Sequence, residues 1–214
     1  MADHAPHLAT SPNGLEGVIT PYYFCLEGQQ YGPGMKPGRT WRLTDKSNGV
    51  TCTCKSSIPS ENELHVRIEA TDRQPIEHVF SRDYNTGSLA LKLKTSLFDG
   101  VTYTWGSGLQ IPSAWFLGEE IESVSRENEP STRGPLKFSA EFLRFIGDKI
   151  PIPGDETGEK KAVIQIEETI YSVKTGLKIA EIRLYFGLGV GIIGAEGRIW
   201  ERYFKYRLQD FSDN

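Results

Sequence analysis

The sequence predicts an all-β fold, a strongly curved antiparallel meander that forms a half-barrel or open barrel with at most one or two short helices. Runs of alternating apolar and polar residues recur at intervals of roughly ten residues, a spacing typical of sandwiches and barrels. Turn sequences such as Asn48-Gly49 and Asp99-Gly100 separate these runs. A chain of 214 residues fits one such domain. We assign residues 17–214 to it, and residues 1–16, which are polar and small, to an N-terminal tail.

The clearest strand pattern lies in residues 175–211, where two alternating runs flank a glycine-rich segment. The first run places four apolar residues on one face: Ala180, Ile182, Leu184 and Phe186. The second run does the same with Trp200, Phe204, Tyr206 and Leu208. Charged residues occupy the opposite positions, so we expect an antiparallel hairpin with one buried and one solvated face.

Most other strands are predicted from the same alternation. Their ranges are 40–45, 50–55, 63–70, 77–83, 88–95, 101–105 and 162–173. Residues 17–25 contain Pro21 and are expected to form an edge strand, because proline cannot donate a hydrogen bond to a neighbouring strand.

Two segments are less regular. Residues 136–145 fit a strand better than the alternative, a helix that would bury Phe138, Phe142 and Phe145. Residues 123–135 are charged and rich in turn formers, so we expect an exposed loop there.

Composition argues against several kinds of partner. The net charge is -4 and the pI is near 5.7, so there is no global basic field to attract nucleic acid or an anionic membrane. No run of about 18 apolar residues occurs, so no membrane span is expected. The sequence has no Cys-x-x-Cys and no pair of histidines at ligand spacing, so we expect neither a metal site nor a cofactor.

The N-terminus and the cysteines bear on the compartment. Residues 1–14 lack the basic and apolar regions of a signal peptide. We therefore expect a cytoplasmic protein if Met1 is the natural start, and a cell-envelope protein if a signal peptide has been removed. Cys25, Cys52 and Cys54 are too few for a disulfide framework and are expected to be reduced thiols.

A G-x-G-x-x-G sequence between Gly189 and Gly194 matches the dinucleotide-binding fingerprint. That motif binds phosphate only where a helix comes next, because the phosphate sits at the helix N-terminus. The next residues in this chain alternate like a strand. We therefore expect the glycines to allow a sharp bend or a bulge.

Two charged residues fall on faces that are otherwise apolar. Glu168 is in register with Ile166, and Arg202 lies between Trp200 and Phe204. A buried charge needs a partner or access to water, so each residue lies near a strand end or a water-filled space, or the two pair across neighbouring strands. They are the candidate catalytic residues, with Glu168 as acid or base and Arg202 as its orienting or anion-stabilising partner.

Six aromatic residues form the candidate ligand-binding set. They are Tyr103, Trp105, Trp115, Trp200, Phe204 and Tyr206. Aromatic side chains line the ligand cavities of barrels and equally fill solid cores, and the pattern does not choose between the two.

Three further stretches share features with one group of proteins: YGPGMKPGRTWRL at 31–43, FIGDKIPIPGDETGEKKAVIQIE at 145–167 and RLYFGLGVGII at 183–193. They resemble the lead-in to the first long hairpin, a strand-turn-strand unit and a late glycine-containing run in a group of bacterial envelope proteins. The architecture of that group is related to the β half-barrels that carry lipoproteins and lipids. The resemblance implies a curved antiparallel sheet around an apolar interior, and it implies no catalytic residues.

These observations lead to three hypotheses for function. The first is a non-catalytic protein that shelters a hydrophobic small molecule or acyl chain in the concave face of the sheet. The second is an isomerase or cyclase that folds a nonpolar substrate in the same cavity, where positioning supplies much of the rate. The third is a structural or interaction module that uses an exposed sheet edge near Pro21.

Overall fold

A computed structural model describes residues 7–24, 39–46, 48–60, 63–70, 75–82, 89–95, 102–127, 135–155 and 158–212. These residues form sixteen strands and one short helix. In chain order the elements are β1 (Leu8–Thr10), β2 (Glu16–Ile19), α1 (Thr20–Phe24), β3 (Thr40–Asp45), β4 (Thr51–Ser60), β5 (Glu63–Ala70), β6 (Ile76–Arg82), β7 (Leu89–Thr95), β8 (Thr102–Ile111), β9 (Ala114–Phe116), β10 (Glu120–Val124), β11 (Arg126–Glu127), β12 (Leu136–Pro151), β13 (Lys160–Ser172), β14 (Lys178–Gly187), β15 (Gly191–Ile199) and β16 (Arg202–Ser212).

Thirteen of the strands form one antiparallel sheet that is nearly closed into a barrel, which confirms the predicted all-β fold. The strand order is β10-β12-β13-β14-β15-β16-β3-β4-β5-β6-β7-β8-β11. The sheet therefore consists of two meanders, β3 to β8 and β12 to β16. They meet where β16 pairs with β3, with Leu208 opposite Leu43.

The second junction between the meanders is made by residues 120–127, which we call the closing segment. Its first part, β10, pairs with β12, and its second part, β11, pairs with β8. Ser125 lies between the two parts and is 1% exposed. Its amide donates to the carbonyl of Leu136 at 2.9 Å, and its hydroxyl lies 3.2 Å from both the carbonyl oxygen and the amide nitrogen of Leu136.

The exposed loop predicted over residues 123–135 is wrong for residues 123–127, which belong to the closing segment. The sequence misled because Glu120, Glu122 and Val124 of this segment are exposed, while Ile121 between them packs on the core. A strand with one solvated face has the composition of a loop when it is this short. Residues 128–134 lie outside the described residues.

The apolar faces of the strands converge inside the barrel. Residues that lie directly opposite one another on neighbouring strands point to the same face of the sheet. One such series of cross-strand partners on the inner face is Phe142, Ile166, Leu184, Ala195 and Tyr206. Two clusters of buried apolar residues form the core, and Phe80, Ile121 and Leu184 contact both. The interior is therefore one continuous apolar region.

A small sheet with the order β1-β2-β9, together with α1, caps one end of the barrel. Val18, Tyr23 and Trp115 of this cap are at most 2% exposed and share a core cluster with Trp41 and Phe142 of the barrel. The cap is thus part of the hydrophobic core. It includes β1, which lies within the N-terminal tail proposed from the sequence.

The edge strand predicted over residues 17–25 is wrong. The strand ends at Ile19, and Pro21 lies in the first turn of α1, where its missing N–H would have no partner within the helix. β2 is paired on one side with β1 and on the other with β9. The exposed edge that the interaction hypothesis needed near Pro21 is therefore covered.

The hairpin predicted over residues 175–211 contains three strands instead of two. β15 lies between the two predicted runs and was missed because Gly191, Gly194 and Gly197 have no side chains to show an alternation. The preference for strand over helix at residues 136–145 is confirmed by β12. Cys52 and Cys54 are buried free thiols, as predicted, and Cys25 lies outside the described residues.

Replacing Ser125 with alanine should destabilise the barrel at its closure. The change removes an acceptor from the Leu136 amide at a site that is 1% exposed, so we expect a loss of roughly 1 to 3 kcal/mol in the free energy of unfolding. Urea denaturation would measure it. The matched control is Ser57→Ala on exposed surface of β4, which should change the free energy of unfolding by less than about 0.5 kcal/mol. Equal effects of the two substitutions would contradict a special role of the closing segment.

Candidate functional site

The two candidate catalytic residues lie in different surroundings. Glu168 is inside the barrel and 8% exposed, with Ala140 and Ile182 opposite it on the neighbouring strands. Arg202 begins β16 and is exposed. Because β14 and β15 separate their strands, the pairing across neighbouring strands that the sequence allowed is not found. Their catalytic roles stay predictions.

The aromatic set is dispersed. Phe204 and Tyr206 point into the barrel, with ring centroids 5.9 Å apart. Trp115 is buried in the cap, where its indole N–H donates to the carbonyl of Glu119 at 2.8 Å. Trp200 lies in the turn between β15 and β16 and is 47% exposed. Tyr103 and Trp105 belong to β8, and their side chains fall outside what the structure describes.

One side of the barrel interior is incompletely covered by its own side chains. Six inward-facing apolar residues are only half-buried, and we call them the inner wall: Val66, Ile68, Phe80, Leu184, Phe204 and Tyr206. Residues directly opposite some of them are almost fully buried, such as Ile166 at 2% and Cys54 at 4% exposure. Within one face, these six side chains are therefore less completely covered than their neighbours.

The strand β15 accounts for part of this space. Its inward positions are Ala195, opposite Leu184 and Tyr206, and Gly197, opposite Ile182 and Phe204. A side chain at Gly197 would place its Cβ 2.2 Å from the carbonyl oxygen of Glu181, so the position requires glycine. The inward positions of β15 therefore carry smaller side chains than those of β14 and β16, and the backbones of β14 and β15 approach closely at Gly197.

Polar groups share the inner face with the wall. Besides Glu168, Asp45 lies opposite Tyr206 and is 2% exposed, and His78 lies opposite Val66 and is half-buried. Neither residue was predicted from the sequence as a site residue. The inward position of Asp45 could have been predicted, because Asp45 continues the alternating series of inward residues Trp41 and Leu43.

The glycine-rich turn between β14 and β15 seals the capped end. Gly189 and Gly191 have positive φ values of 69° and 93°. Arg39 donates to the carbonyl of Gly189 at 2.7 Å, Trp41 donates to that of Val190 at 2.7 Å, and the Gly189 amide donates to the carbonyl of Tyr22 at 2.9 Å. The predicted bend is confirmed, and a strand comes after it where a nucleotide site needs a helix.

A charged cluster on the outer face joins β14, β15 and β16. Glu196 accepts hydrogen bonds from the Tyr185 hydroxyl at 2.7 Å and from Arg207 at 2.6 Å, and Lys205 lies 3.3 Å away. Burial acts to raise the pKa of Glu196, but the hydrogen bonds from Tyr185, Arg207 and Lys205 outweigh it and lower the pKa to about 2. The cluster stabilises the sheet from outside and keeps Glu196 ionised.

Two kinds of feature are not found in the described ranges: a membrane-spanning helix and a metal-binding cluster. Among the helices of these ranges, none is long and apolar enough to cross a membrane. In the same part of the chain, no three side chains of His, Cys, Asp or Glu gather where they could hold a metal ion.

The fold defines the class of protein: an antiparallel sheet nearly closed into a barrel, with one capped end and an apolar interior. No protein-family model matches the sequence, and no curated protein matches it either. A Bacteroides fragilis protein with a YmcC-like fold, provisionally described as exported, is similar in structure with a TM-score of 0.46 and 11% identity, over 89% of this chain and 100% of that chain.

Two other solved structures are also similar. A β-barrel-like protein of the domain of unknown function DUF1849 from Brucella abortus has a TM-score of 0.45 and 10% identity, over 82% of this chain and 97% of that chain. A protein from Parabacteroides distasonis, provisionally described as a lipoprotein, has a TM-score of 0.42 and 12% identity, over 83% and 96%. All three proteins are bacterial, and these likenesses concern the fold alone. The compartment of this chain stays a prediction.

Replacing Glu196 with glutamine should destabilise the protein in a pH-dependent way. The folded pKa of about 2 lies below the ordinary value of 4.5, so the carboxylate stabilises the fold above pH 4.5, and that stabilisation is lost as the pH falls from about 4.5 towards 2. We expect Glu196→Gln to be less stable than the wild type at pH 7 and the difference to shrink steadily below pH 4.5. Urea unfolding at a series of pH values would measure it.

The control for this prediction is Glu201→Gln. Glu201 is exposed in the turn before β16 and forms no ion pair with the described residues. Its substitution should change stability little at any pH. A stability loss in Glu196→Gln that stays constant between pH 7 and pH 3 would show that the ionisation of Glu196 is not what stabilises the cluster.

Proposed function

We propose that the protein binds a hydrophobic small molecule or an acyl chain against the inner wall of the barrel. The observation that carries the proposal is the half-buried state of six apolar side chains that face inward. Apolar surface that stays in contact with water inside a protein forgoes roughly 25 cal/mol for each Å². A nonpolar ligand that covers this surface would recover that free energy on binding.

We infer that the small inward residues of β15 leave a channel over this strand, and that the channel suits an elongated ligand. It runs between Leu184 on one side and Phe204 and Tyr206 on the other, with Ala195 and Gly197 as its floor. Two aromatic rings 5.9 Å apart on the same strand form one wall along the strand direction. An acyl chain or a narrow fused-ring molecule fits such a channel better than a compact polar metabolite, because the floor offers no side-chain hydrogen bonds.

Glu168 suggests which polar group the ligand carries. Across the neighbouring strands, Glu168 is in register with Ile182, Gly197 and Phe204. Its carboxylate is therefore on the same face of the sheet as the channel. A carboxylate has about four acceptor positions and can accept another hydrogen bond alongside those it already makes. We therefore favour a ligand whose polar end is a hydroxyl, an amide N–H or an amine, and we disfavour a free fatty acid, whose own carboxylate would be repelled.

Binding of the neutral apolar dye N-phenylnaphthylamine, which carries one N–H donor, would test the proposal. We expect its fluorescence to rise on titration into protein that has been stripped of bound lipid. Ala195→Leu fills the floor of the channel and should weaken dye binding by at least about tenfold. The matched control is Ser57→Leu, the same new side chain at an exposed position of β4, which should bind the dye like the wild type.

A second measurement keeps the test decisive if Ala195→Leu does not fold. Native mass spectrometry of the unstripped wild-type protein should show a co-purified nonpolar molecule, or the stripped protein should take up the dye with one-to-one stoichiometry. If the wild type carries no ligand and also fails to bind the dye, the interior is a packed core and the proposal is wrong.

A further inference from the structure

Two neighbouring turns at the end of the barrel opposite the cap form a surface that we call the rim. It consists of residues 173–178, which form the turn after β13 and the first residue of β14, and residues 198–203, which form the end of β15, the turn and the start of β16. The Trp200 amide donates to the carbonyl of Ile179 at 2.8 Å, which ties the two turns together. The rim is an outer surface, so its role is independent of ligand binding inside the barrel.

The rim carries a concentration of exposed apolar side chains. Val173 is 49% exposed, Leu177 62%, Trp200 47% and Tyr203 59%. These are four of the nine large apolar residues that are exposed in the described part of the chain. Trp200 also has a φ of 53°, a strained value for a residue other than glycine, so the turn holds the indole outward at a conformational cost.

The charges of the rim are mainly basic, although the whole chain has a net charge of -4. Lys174, Arg198 and Arg202 are exposed, and none of the three forms an ion pair or hydrogen bond with the described residues. Lys178, the fourth basic residue of the rim, pairs with Glu181 at 2.9 Å. Glu201 is the acidic residue within the rim. A depression of about 440 Å³ beside Trp200 and Tyr203 is lined by the basic side chains of Lys178, Arg183 and Arg198 and by the carboxylates of Glu181 and Glu196.

This combination matches the surface of a bilayer better than it matches another copy of the chain. Tryptophan and tyrosine favour the membrane-water interface, where the ring is apolar and its polar edge stays hydrated. Basic side chains beside them are attracted to anionic lipid headgroups. A symmetric contact between two rims would instead bring Lys174, Arg198 and Arg202 of two copies face to face, and like charges oppose it.

We propose that the rim docks the protein on the surface of an anionic phospholipid bilayer. Leu177, Trp200 and Tyr203 lie at the level of the headgroups, and Arg198 and Arg202 contact lipid phosphates. The negative net charge of the chain concealed this surface in the sequence, because electrostatic attraction acts over about 10 Å at ordinary salt and is decided by the local charges.

Vesicle sedimentation with the full chain tests the proposal. We expect the wild type to bind vesicles of equimolar phosphatidylcholine and phosphatidylglycerol, to bind phosphatidylcholine alone much more weakly, and to be released by salt. The double substitution Arg198→Gln with Arg202→Gln should weaken binding roughly fivefold for each basic side chain removed. Trp200→Gly suits the backbone conformation of the turn, so it should keep the fold, weaken binding and abolish the blue shift of tryptophan fluorescence on vesicles.

The matched control removes the same charge from the opposite end of the barrel. Lys149→Gln with Lys160→Gln changes two exposed residues of β12 and β13 and should bind vesicles like the wild type. Equal weakening by the two double substitutions would overturn the proposal, because attraction would then depend on net charge alone. It would also be overturned if the wild type ignored anionic vesicles, or if Trp200→Gly abolished a concentration-dependent dimer in ultracentrifugation, which would make a second copy the occupant.

Discussion

The closure of the sheet is the constraint on which the rest of the structure depends. A sheet of thirteen strands has two edges, and each edge presents a row of unpaired N–H and C=O groups that can recruit other strands. The closing segment covers part of both β12 and β8 with one stretch of chain, since β10 pairs with β12 and β11 pairs with β8. Ser125 makes the switch possible, because its hydroxyl and amide both bond to Leu136 where the chain changes partners.

Once the sheet is closed, its two faces have different environments. Inward positions are apolar along most strands. Among the side chains that the structure describes, Asp45, His78 and Glu168 are titratable exceptions. Outward positions carry ion pairs, of which the Glu196 cluster is the most highly connected. The cap and the glycine-rich turn seal one end with buried Tyr23, Val190 and neighbouring residues.

The sequence predicted strands well where apolar and polar side chains alternate, and poorly where side chains are small or the strand is short. β5, β13 and β14 follow the predicted alternation, but β15 was missed because glycines carry no pattern, and the closing segment was taken for a loop. The candidate site was predicted in part. Phe204, Tyr206 and Glu168 do face the interior, whereas Trp115 lies in the cap and Trp200 in an exposed turn, positions that depend on where the chain bends.

The sequence by itself determined the all-β class, the antiparallel order of successive hairpins and the inward direction of most apolar residues, because all three follow from local alternation and turn chemistry. Only the tertiary structure decided which strands meet after the chain turns back, namely β16 with β3 and the closing segment with β8 and β12. Those pairings join residues far apart in sequence, and no local pattern encodes them. The tertiary structure also decided that two strands separate Glu168 from Arg202 and that six inward apolar side chains are only half-buried.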